Sequence, residues 1–245
     1  MTAITAILTA HKEGVLLGPS LSSFLAAISE ARLAGLATEG IVMLDRPDAT
    51  TRAQAATAPA EICVMECDVG DPGLARNAGA EAAAGGFVAY LDGDDLWSSN
   101  WLRDAHAFCS AQAEPIVAHS QMDIIFGDEN LLWMHADSAA AGFNYDYLRF
   151  NNYWNAMAFV QRDVMRRFPF APTDLSRGFG HEDWHWNALT YAAGIHHRPV
   201  PGTVHFKRRR AGTQFAQASA ANALPWVTPL ATYDWTPGPS VLIGK

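Results

Sequence analysis

The stretch Val88-Ala89-Tyr90-Leu91-Asp92-Gly93-Asp94-Asp95-Leu96-Trp97 decides how the rest of the chain is interpreted. An apolar run from Phe87 to Leu91 follows Gly85-Gly86 and ends in three carboxylates. A run this short and apolar predicts a buried strand of a parallel sheet. Three carboxylates at one strand end repel one another unless a cation lies among them. An Asx turn would explain one or two aspartates, so the third favours a site for Mg²⁺ or Mn²⁺ and a diphosphate.

Apolar strands alternate with helices through the first half of the chain. Runs at Ile4 to Ala10, Gly40 to Leu44 and Ile62 to Met65 predict three further strands. Apolar residues at helical spacing predict an amphipathic helix from about 20 to 36, and an alanine-rich segment predicts a second from 73 to 84. This order is typical of a parallel sheet with helices on both faces.

The second half of the chain departs from that rhythm. Segments 116–126 and 131–135 flank a polar turn and predict a β-hairpin. A helix is predicted from 182 to 194, and a strand over 203–206 runs into Lys207-Arg208-Arg209-Arg210. The predicted fold is therefore α/β, with a mostly parallel central sheet flanked by helices and a small β-hairpin region.

Polar residues follow each of the four predicted strands at the end where parallel sheets bind ligands. One such residue is an ordinary turn residue, but four strand ends in series predict a nucleotide site. Neither a dinucleotide fingerprint nor a phosphate loop follows the first strand, so we expect a metal on the aspartates to hold the phosphates. The strand-end residues are Thr9 and His11, Asp45, Asp68, and Asp92, Asp94 and Asp95.

Composition narrows the partners and the location. The 245 residues are 49% hydrophobic and 17% charged, as in a globular protein with one sizeable core. A net charge of −8 argues against nucleic acid or an anionic membrane as the main partner. No apolar run reaches the ~18 residues that span a bilayer, so we expect no membrane span. Reduced core thiols at Cys63, Cys67 and Cys109, and the lack of a signal peptide, predict a cytoplasmic protein.

The chain resembles a family 2 glycosyltransferase of the GT-A fold over roughly residues 4–212. The resemblance rests on Gly73-Leu74-Ala75-Arg76-Asn77-Ala78-Gly79, then Ala84-Gly85, the aspartate stretch, and Glu182-Asp183 in this order. It implies inverting transfer of a sugar from a nucleotide diphosphate, with a UDP-sugar as the expected donor, to a hydroxyl of a glycan or lipid-linked acceptor. It also implies a divalent metal, Mn²⁺ or Mg²⁺, and a position at the inner face of the membrane.

The resemblance also implies roles for single residues. Asp183 would be the catalytic base, while Asp92 and Asp94 would bind the metal, with His205 completing its shell. His11 and the Arg46 that follows Asp45 depart from the family pattern, which leaves the donor nucleotide open. The candidates for substrate or nucleotide binding are Thr9, His11, Glu13, Asp45, Asp68, Arg76, Asp92, Glu182, Trp186, Lys207 and Arg208.

Several of these residues have a second interpretation. Asp183 could simply complement the positive end of a helix dipole, and Arg76 could form an ion pair inside the fold. His205 could be a core residue instead of a metal ligand. Trp186 could stack on an acceptor sugar, although most of the eight tryptophans should lie in the core.

Three alternative functions remain open from the sequence. His181-Glu182-Asp183-Trp184-His185 matches the His-Glu-x-x-His pattern of zinc hydrolases, with His196, His197 or His205 as a third ligand. A nucleotidyltransferase would have a similar architecture, but it would carry a glycine-rich basic loop after the first strand. A non-catalytic module that binds a nucleotide-sugar or glycan would bind without turnover.

We predict one domain over residues 1–245. Its expected parts are a nucleotide-binding half (1–97), an acceptor-binding half (98–212) and a C-terminal tail (213–245) in which no structural pattern is evident.

Overall fold

Nine strands form one sheet in the computed structural model, which describes residues 2–231. The strands are β1 Ile4–Ala10, β2 Thr38–Asp45, β3 Ile62–Cys67, β4 Phe87–Asp92, β5 Leu96–Trp97, β6 Ile116–Gly127, β7 Leu131–Met134, β8 Phe159–Gln161 and β9 His196–Arg209. The helices are α1 Leu17–Leu33, α2 Ala49–Ala55, α3 Pro72–Ala82, α4 Trp101–Ser110, α5 Arg162–Arg167, α6 Glu182–Ala192 and α7 Gln214–Ala220.

The strand order is β3-β2-β1-β4-β8-β6-β9-β5, with β7 paired to β6. The first four of these strands are parallel, as predicted, and Leu8 of β1 is paired with Val42 of β2 and Leu91 of β4. Beyond β4 the sheet is mixed, because β8 is antiparallel to both of its neighbours. In the parallel half, the carboxyl ends of β1, β2 and β4 lie side by side, and their last residues are Ala10, Asp45 and Asp92.

Helix α1 covers one face of the parallel strands. Leu17, Leu21, Phe24 and Ile28 are at most 4% exposed and belong to the main core. The segment Gly14–Leu33 has the length and the apolar composition of a membrane-spanning helix, although we expected none from the sequence. Part of that composition packs into the core, whereas Val15 and Leu33 are 68% and 80% exposed.

Strand β3 lies at an edge of the sheet and is more exposed than the sequence predicted. Val64 and Met65 are 43% and 37% exposed, and Cys63 is exposed as well. The prediction of a core thiol is therefore wrong for Cys63, because an edge strand has a neighbour on one side only. All three cysteines are free, and Cys109 is the buried one.

The predicted hairpin is confirmed as the antiparallel pair β6–β7. The last strand, β9, begins at His196, well before the predicted start at 203. It pairs in parallel with β6 and antiparallel with β5, so that His205 lies between Asp123 and Trp97. Because β5 directly follows the aspartates, this pairing brings the basic residues at the end of β9 beside them.

The region after β9 is folded against the rest of the domain. Helix α7 and a 3₁₀ turn at Pro229–Ala231 follow the strand, and Ala218 and Ala223 are 1% and 6% exposed. The prediction of a patternless tail is therefore wrong for 213–231, whose order comes from packing and not from a local periodicity. Residues 232–245 of that predicted tail lie outside the described residues.

Candidate active site

Each carboxylate of the aspartate stretch has a cationic side chain of the protein beside it. The three pairs are Asp92 Oδ1 with Arg76 Nη2 at 2.7 Å, Asp94 Oδ2 with Arg210 Nε at 2.7 Å, and Asp95 Oδ2 with Lys207 Nζ at 3.4 Å. The mutual repulsion inferred from the sequence is thus relieved, in part, by three side chains that come from α3 and from the end of β9. Opposite charges within a few ångströms favour the ionised form of a carboxyl.

Asp95 is the most enclosed of the three aspartates, with 2% of its surface exposed. Its Oδ1 atom accepts a hydrogen bond from the backbone N–H of Arg208 at 2.7 Å. Burial raises the pKa of the Asp95 carboxyl; the Lys207 ammonium opposes that rise, and the carboxylates of Asp94 and Asp92 add to it. Asp95 therefore fastens the end of β9 to the aspartate stretch.

Arg76 joins the aspartate stretch to the start of α6. It is 2% exposed, and its guanidinium donates from Nη2 to Asp92 Oδ1 at 2.7 Å and from Nη1 to Glu182 Oε1 at 3.0 Å. The structure therefore favours the internal ion pair over a direct nucleotide contact for Arg76, and it gives Glu182 the same bridging role. Asp183, the next residue in the chain, is close enough to feel the charges of Lys207, Arg76 and Asp92.

Asp183 lies in the first turn of α6. The residue before the helix, His181, has a φ of 56°, a left-handed conformation that is uncommon for a non-glycine residue. Asp183 is half-buried as a residue, and its Oδ1 accepts from the N–H of Trp184 at 2.7 Å. Burial raises the pKa of this carboxyl above its ordinary value, although the cations of Lys207 and Arg76 oppose the rise.

Three predicted residues lie at the end of β1 and just after it. Thr9 is 6% exposed, and its hydroxyl donates to Asp92 Oδ1 at 3.2 Å. Glu13 accepts from the backbone N–H of His11 and lies 3.9 Å from the Arg210 guanidinium. Burial raises the pKa of the Glu13 carboxyl. His11, with a side chain that is 45% exposed, is the most accessible of the three.

Asp45 is 4% exposed and holds a loop in place. Its Oδ1 accepts from the N–H groups of Val69 and Gly70 at 2.9 and 3.0 Å, and its Oδ2 accepts from Asp71 N at 3.1 Å. Both oxygens are thus bonded to backbone donors, which gives Asp45 a structural role in the loop. Its predicted contact with a nucleotide stays a prediction. Asp45 shapes this part of the site by fixing the loop.

Asp68, in contrast, is a surface residue. Its side chain is 85% exposed and is paired with the Arg46 guanidinium. Arg46 has a φ of 48°, which turns the chain sharply after β2. Although both residues lie near the edge where the strands end, the structure gives no contact between Asp68 and the aspartate stretch in the described residues.

A family model described as glycosyl transferase family 2 matches residues 5–171. The chain belongs to glycosyl transferase family 2. The matched range includes the aspartate stretch and Arg76 but ends before Asp183 and the basic residues of β9. No curated protein matches the chain.

Solved structures of glycosyltransferases share the fold. S. aureus TarS 1–349 in complex with UDP-GlcNAc matches with a TM-score of 0.63 and 14% identity, over 87% of this chain and 60% of that one. The mannosyltransferase PcManGT from Pyrobaculum calidifontis, in complex with GDP-Man and Mn²⁺, matches with a TM-score of 0.59 and 17% identity, over 87% and 59%. The GT-A fold prediction is confirmed, and the chain spans about 60% of the length of these two proteins.

Trp186 does not face the cleft of this family 2 glycosyltransferase. It is 0% exposed, its ring stacks on Phe170, and its indole N–H donates to the Phe168 carbonyl at 2.7 Å. The predicted stacking on an acceptor sugar is therefore contradicted. Nearness to Asp183 in sequence did not place Trp186 in the cleft, because its side of α6 packs into a core cluster with Phe170.

His205 is also enclosed. It is 1% exposed, lies against the rings of Trp97 and Trp101, and has its Nδ1 3.8 Å from Asp123 Oδ1. Burial lowers the pKa of His205 to about 3. His205 is thus buried, as the core interpretation expects, while its two ring nitrogens have no hydrogen-bond partner among the described residues. Its role as a metal ligand stays a prediction.

The residues of the zinc-hydrolase pattern have other partners. Glu182 is bonded to Arg76, and His185 Nδ1 lies 3.0 Å from the Trp226 carbonyl oxygen. Within residues 2–231, no group of three or more His, Cys, Asp or Glu side chains is arranged to hold a metal ion. The geometry therefore gives the zinc-hydrolase alternative no support.

The donor atoms of Asp92 and Asp94 still fit a divalent metal that takes few ligands from the protein. The hydrogen bonds described for Asp92 all reach Oδ1 and those for Asp94 reach Oδ2. Their side chains are 25% and 14% exposed, so the other oxygen of each carboxylate has access to the cleft. Mg²⁺ is commonly held by one or two carboxylates and substrate phosphates, which makes Asp92 and Asp94 the candidate ligands.

Sequence reasoning missed Arg210 as a site residue. Its guanidinium contacts both Asp94 and Glu13, and so closes the site on the β1 side. The sequence shows that Arg210 belongs to the basic run 207–210. A run of four basic residues does not predict which of them contacts the aspartates. The β5–β9 register decides this, and it depends on residues that are distant in sequence.

Proposed function

We propose that this chain is an inverting, metal-assisted glycosyltransferase with Asp183 as its general base. The observation that carries the proposal is the Arg76 bridge between Asp92 at the end of β4 and Glu182 at the start of α6. Inverting transfer requires a diphosphate site and a base on opposite sides of one anomeric carbon. The bridge supports the proposal because it links Asp92, in the candidate diphosphate site, to Glu182, the residue next to the candidate base.

The proposed donor is a nucleotide-sugar, with a UDP-sugar as the first choice. Similar folds are recorded with UDP-GlcNAc and UDP, and one with GDP-Man and Mn²⁺. His11, Glu13, Lys207 and Arg208 are the proposed nucleotide contacts. Glu13 and Lys207 are also paired with Arg210 and Asp95, so they would act from inside the charged cluster. A bound Mn²⁺ or Mg²⁺ on Asp92 and Asp94 would neutralise charge on the leaving diphosphate.

Asp183 would take the proton of the acceptor hydroxyl as its oxygen attacks the anomeric carbon. The bond from that carbon to the diphosphate breaks on the opposite side, so the configuration inverts. A base with a raised pKa is suited to this task, because a carboxylate with an ordinary pKa is a weak acceptor of a hydroxyl proton. Lys207 and Arg208 supply fixed positive charge near the diphosphate, where negative charge develops.

The acceptor is proposed as a chemical class and not as a single compound. We propose a glycan or lipid-linked acceptor, and a cytoplasmic location peripheral to the inner face of the membrane, as the sequence predicted. The family match and the fold support a glycosyltransferase.

Thermal denaturation in the presence of UDP, GDP, dTDP or CDP tests the donor site. Each nucleotide is added with Mn²⁺ and, separately, with EDTA. Because a ligand that binds the folded state stabilises it by mass action, one nucleotide should raise the melting temperature only with the metal. Stabilisation by Zn²⁺ alone, with no response to any nucleotide, would contradict the proposal.

Asp183→Asn tests the base. The variant should keep the nucleotide-dependent shift while transfer falls by about 10²–10⁴-fold, the usual contribution of a general base. Asp163→Asn, at a side chain that is 84% exposed on α5, is the matched control and should leave transfer unchanged. Near-normal transfer in Asp183→Asn would rule out this residue as the base, and donor binding without transfer in the wild type would indicate a binding module.

A further inference from the structure

Trp226 contacts the segment around Asp183 at three separate points. Its ring stacks on Phe179 with centroids 3.9 Å apart and planes 12° from parallel. Its indole N–H donates to the Pro172 carbonyl at 2.7 Å, and its own carbonyl oxygen lies 3.0 Å from His185 Nδ1. One residue near the C-terminal end of the described chain therefore contacts residues on both sides of Asp183 in sequence.

Backbone hydrogen bonds beside Trp226 reinforce this contact. Leu224 N donates to the Gly178 carbonyl, and Gly180 N donates to the Leu224 carbonyl, each at 2.9 Å. A side-chain carbon at Gly180 would lie only 3.0 and 3.1 Å from the methyl groups of Ala218 and Ala223. The glycine thus allows residues 213–226, which we call the clamp, to lie directly against the segment 172–185.

Before α6 begins, the segment 172–185 contains a turn that is closed by an antiparallel bridge between Asp174 and Phe179. It contains a single 3₁₀ turn at Leu175–Arg177, and it includes left-handed backbone at Gly178 and His181. Left-handed backbone at a non-glycine residue persists where the surroundings hold it. Apart from the clamp, the segment is tethered to the parallel half by the bond from Thr173 N to Asp71 Oδ2 at 2.8 Å and by the ion pair of Glu182 with Arg76.

We propose that Trp226 is a positioning residue that fixes the segment 172–185 and thereby sets where Asp183 stands relative to the aspartate stretch. This inference rests on the proposed function, in which Asp183 is the base. Trp226 acts through Phe179, Pro172 and His185 and is itself half-buried outside the main core. The donor site on β1, β4 and β9 should therefore survive its removal.

The main test compares Trp226→Ala with Trp226→Phe and Val227→Ala. Amide hydrogen exchange over 172–186 should be faster in Trp226→Ala, whereas exchange in β1 and β4 stays the same. The turnover number for transfer should fall by about 100-fold with the KM for the donor nearly unchanged, because a displaced base affects the reaction step more than donor binding. Trp226→Phe should recover much of the loss, and Val227→Ala, at a side chain that is 75% exposed, should behave as wild type.

Gly180→Ala tests the contact between the clamp and the segment 172–185 by a change within that segment. The added methyl group presses on Ala218 and Ala223, so this variant should also speed exchange over 172–186 and lower transfer. Exchange and turnover that are unchanged in both variants would overturn the inference, while the proposed function would stand. If the wild type transfers no sugar, the proposed function fails, and unchanged exchange in Trp226→Ala would then separately refute the clamp.

Discussion

Two clusters of ionisable side chains lie close to β9 and differ in nearly every physical property. The aspartate stretch combines carboxylates with cations and partly reaches the cleft, as the exposures of Asp92 and Asp94 show. The second cluster contains histidines from β6 and β9, and His119, His197 and His205 are at most 1% exposed. The carboxylates of the first cluster are paired with cations and in part exposed, whereas the histidines of the second are enclosed.

The histidine cluster is held together by short polar contacts and ring packing. His119 Nε2 lies 2.9 Å from His197 Nδ1, and His197 Nε2 lies 2.8 Å from the Thr190 hydroxyl. Burial lowers the pKa of His197 to about 3 and lowers the pKa of His119 well below its ordinary value. The comparison teaches that histidine and aspartate mark a reactive site only where solvent and a counter-charge are both at hand.

Arg76→Met should break the charged cluster most severely. It leaves Asp92 and Glu182 without their shared cation, and removing one partner of a buried ion pair costs about 3–5 kcal/mol. Chemical denaturation should show a loss of this size, and transfer should be abolished. Arg52→Met is the control, since its pair with Glu66 is exposed; an equal loss of stability in both variants would contradict the bridging role.

Asp94→Ala should abolish metal-dependent nucleotide binding, because Asp92 alone would hold the ion poorly. Calorimetric titration of the nucleotide with Mn²⁺ measures this loss. Asp68→Ala removes a carboxylate that is 85% exposed and should leave the affinity unchanged. Unchanged affinity in Asp94→Ala, or equal losses in both variants, would refute the metal assignment.

The rate of transfer should depend on pH through Asp183. The pKa of this carboxyl is raised in the folded protein, so the active carboxylate is lost as the pH falls through a value above the ordinary 3.8. The turnover number should therefore decline on acidification. The residual activity of Asp183→Asn should not show this decline. A rate that stays flat down to pH 4 would contradict the raised pKa.

The histidine cluster should affect stability and not the rate. His197 has a folded pKa of about 3 and an ordinary value of 6.5, so the unfolded chain binds more protons between these values. Its contribution to stability is present above pH 6.5 and is lost as the pH falls towards 3. His197→Gln should reduce the slope of unfolding free energy against pH near pH 5 by about 1.4 kcal/mol per pH unit. An unchanged slope would show that His197 is protonated in the folded state.

Much of the fold could be predicted because its signals are local. Short apolar runs predicted β1, β2 and β4, and alanine and apolar spacing predicted α1 and α3 to within a few residues. Helices α2 and α4 were not predicted. Helix α2, Ala49–Ala55, is short, and α4, Trp101–Ser110, follows closely after the aspartate stretch, whose residues were interpreted as a ligand site. The early start of β9 was missed because its pairing with β6 is a long-range contact.

The sequence by itself determined the family, the alternating strands and the strand end that carries the aspartates, because these depend on residues that are close together in the chain. Only the tertiary structure decided that Arg76, Lys207 and Arg210 lie beside those aspartates, that His205 and Trp186 are buried, and that Trp226 contacts the segment around Asp183. Each of these outcomes depends on which side chains burial and strand register bring together, and no local pattern carries that information.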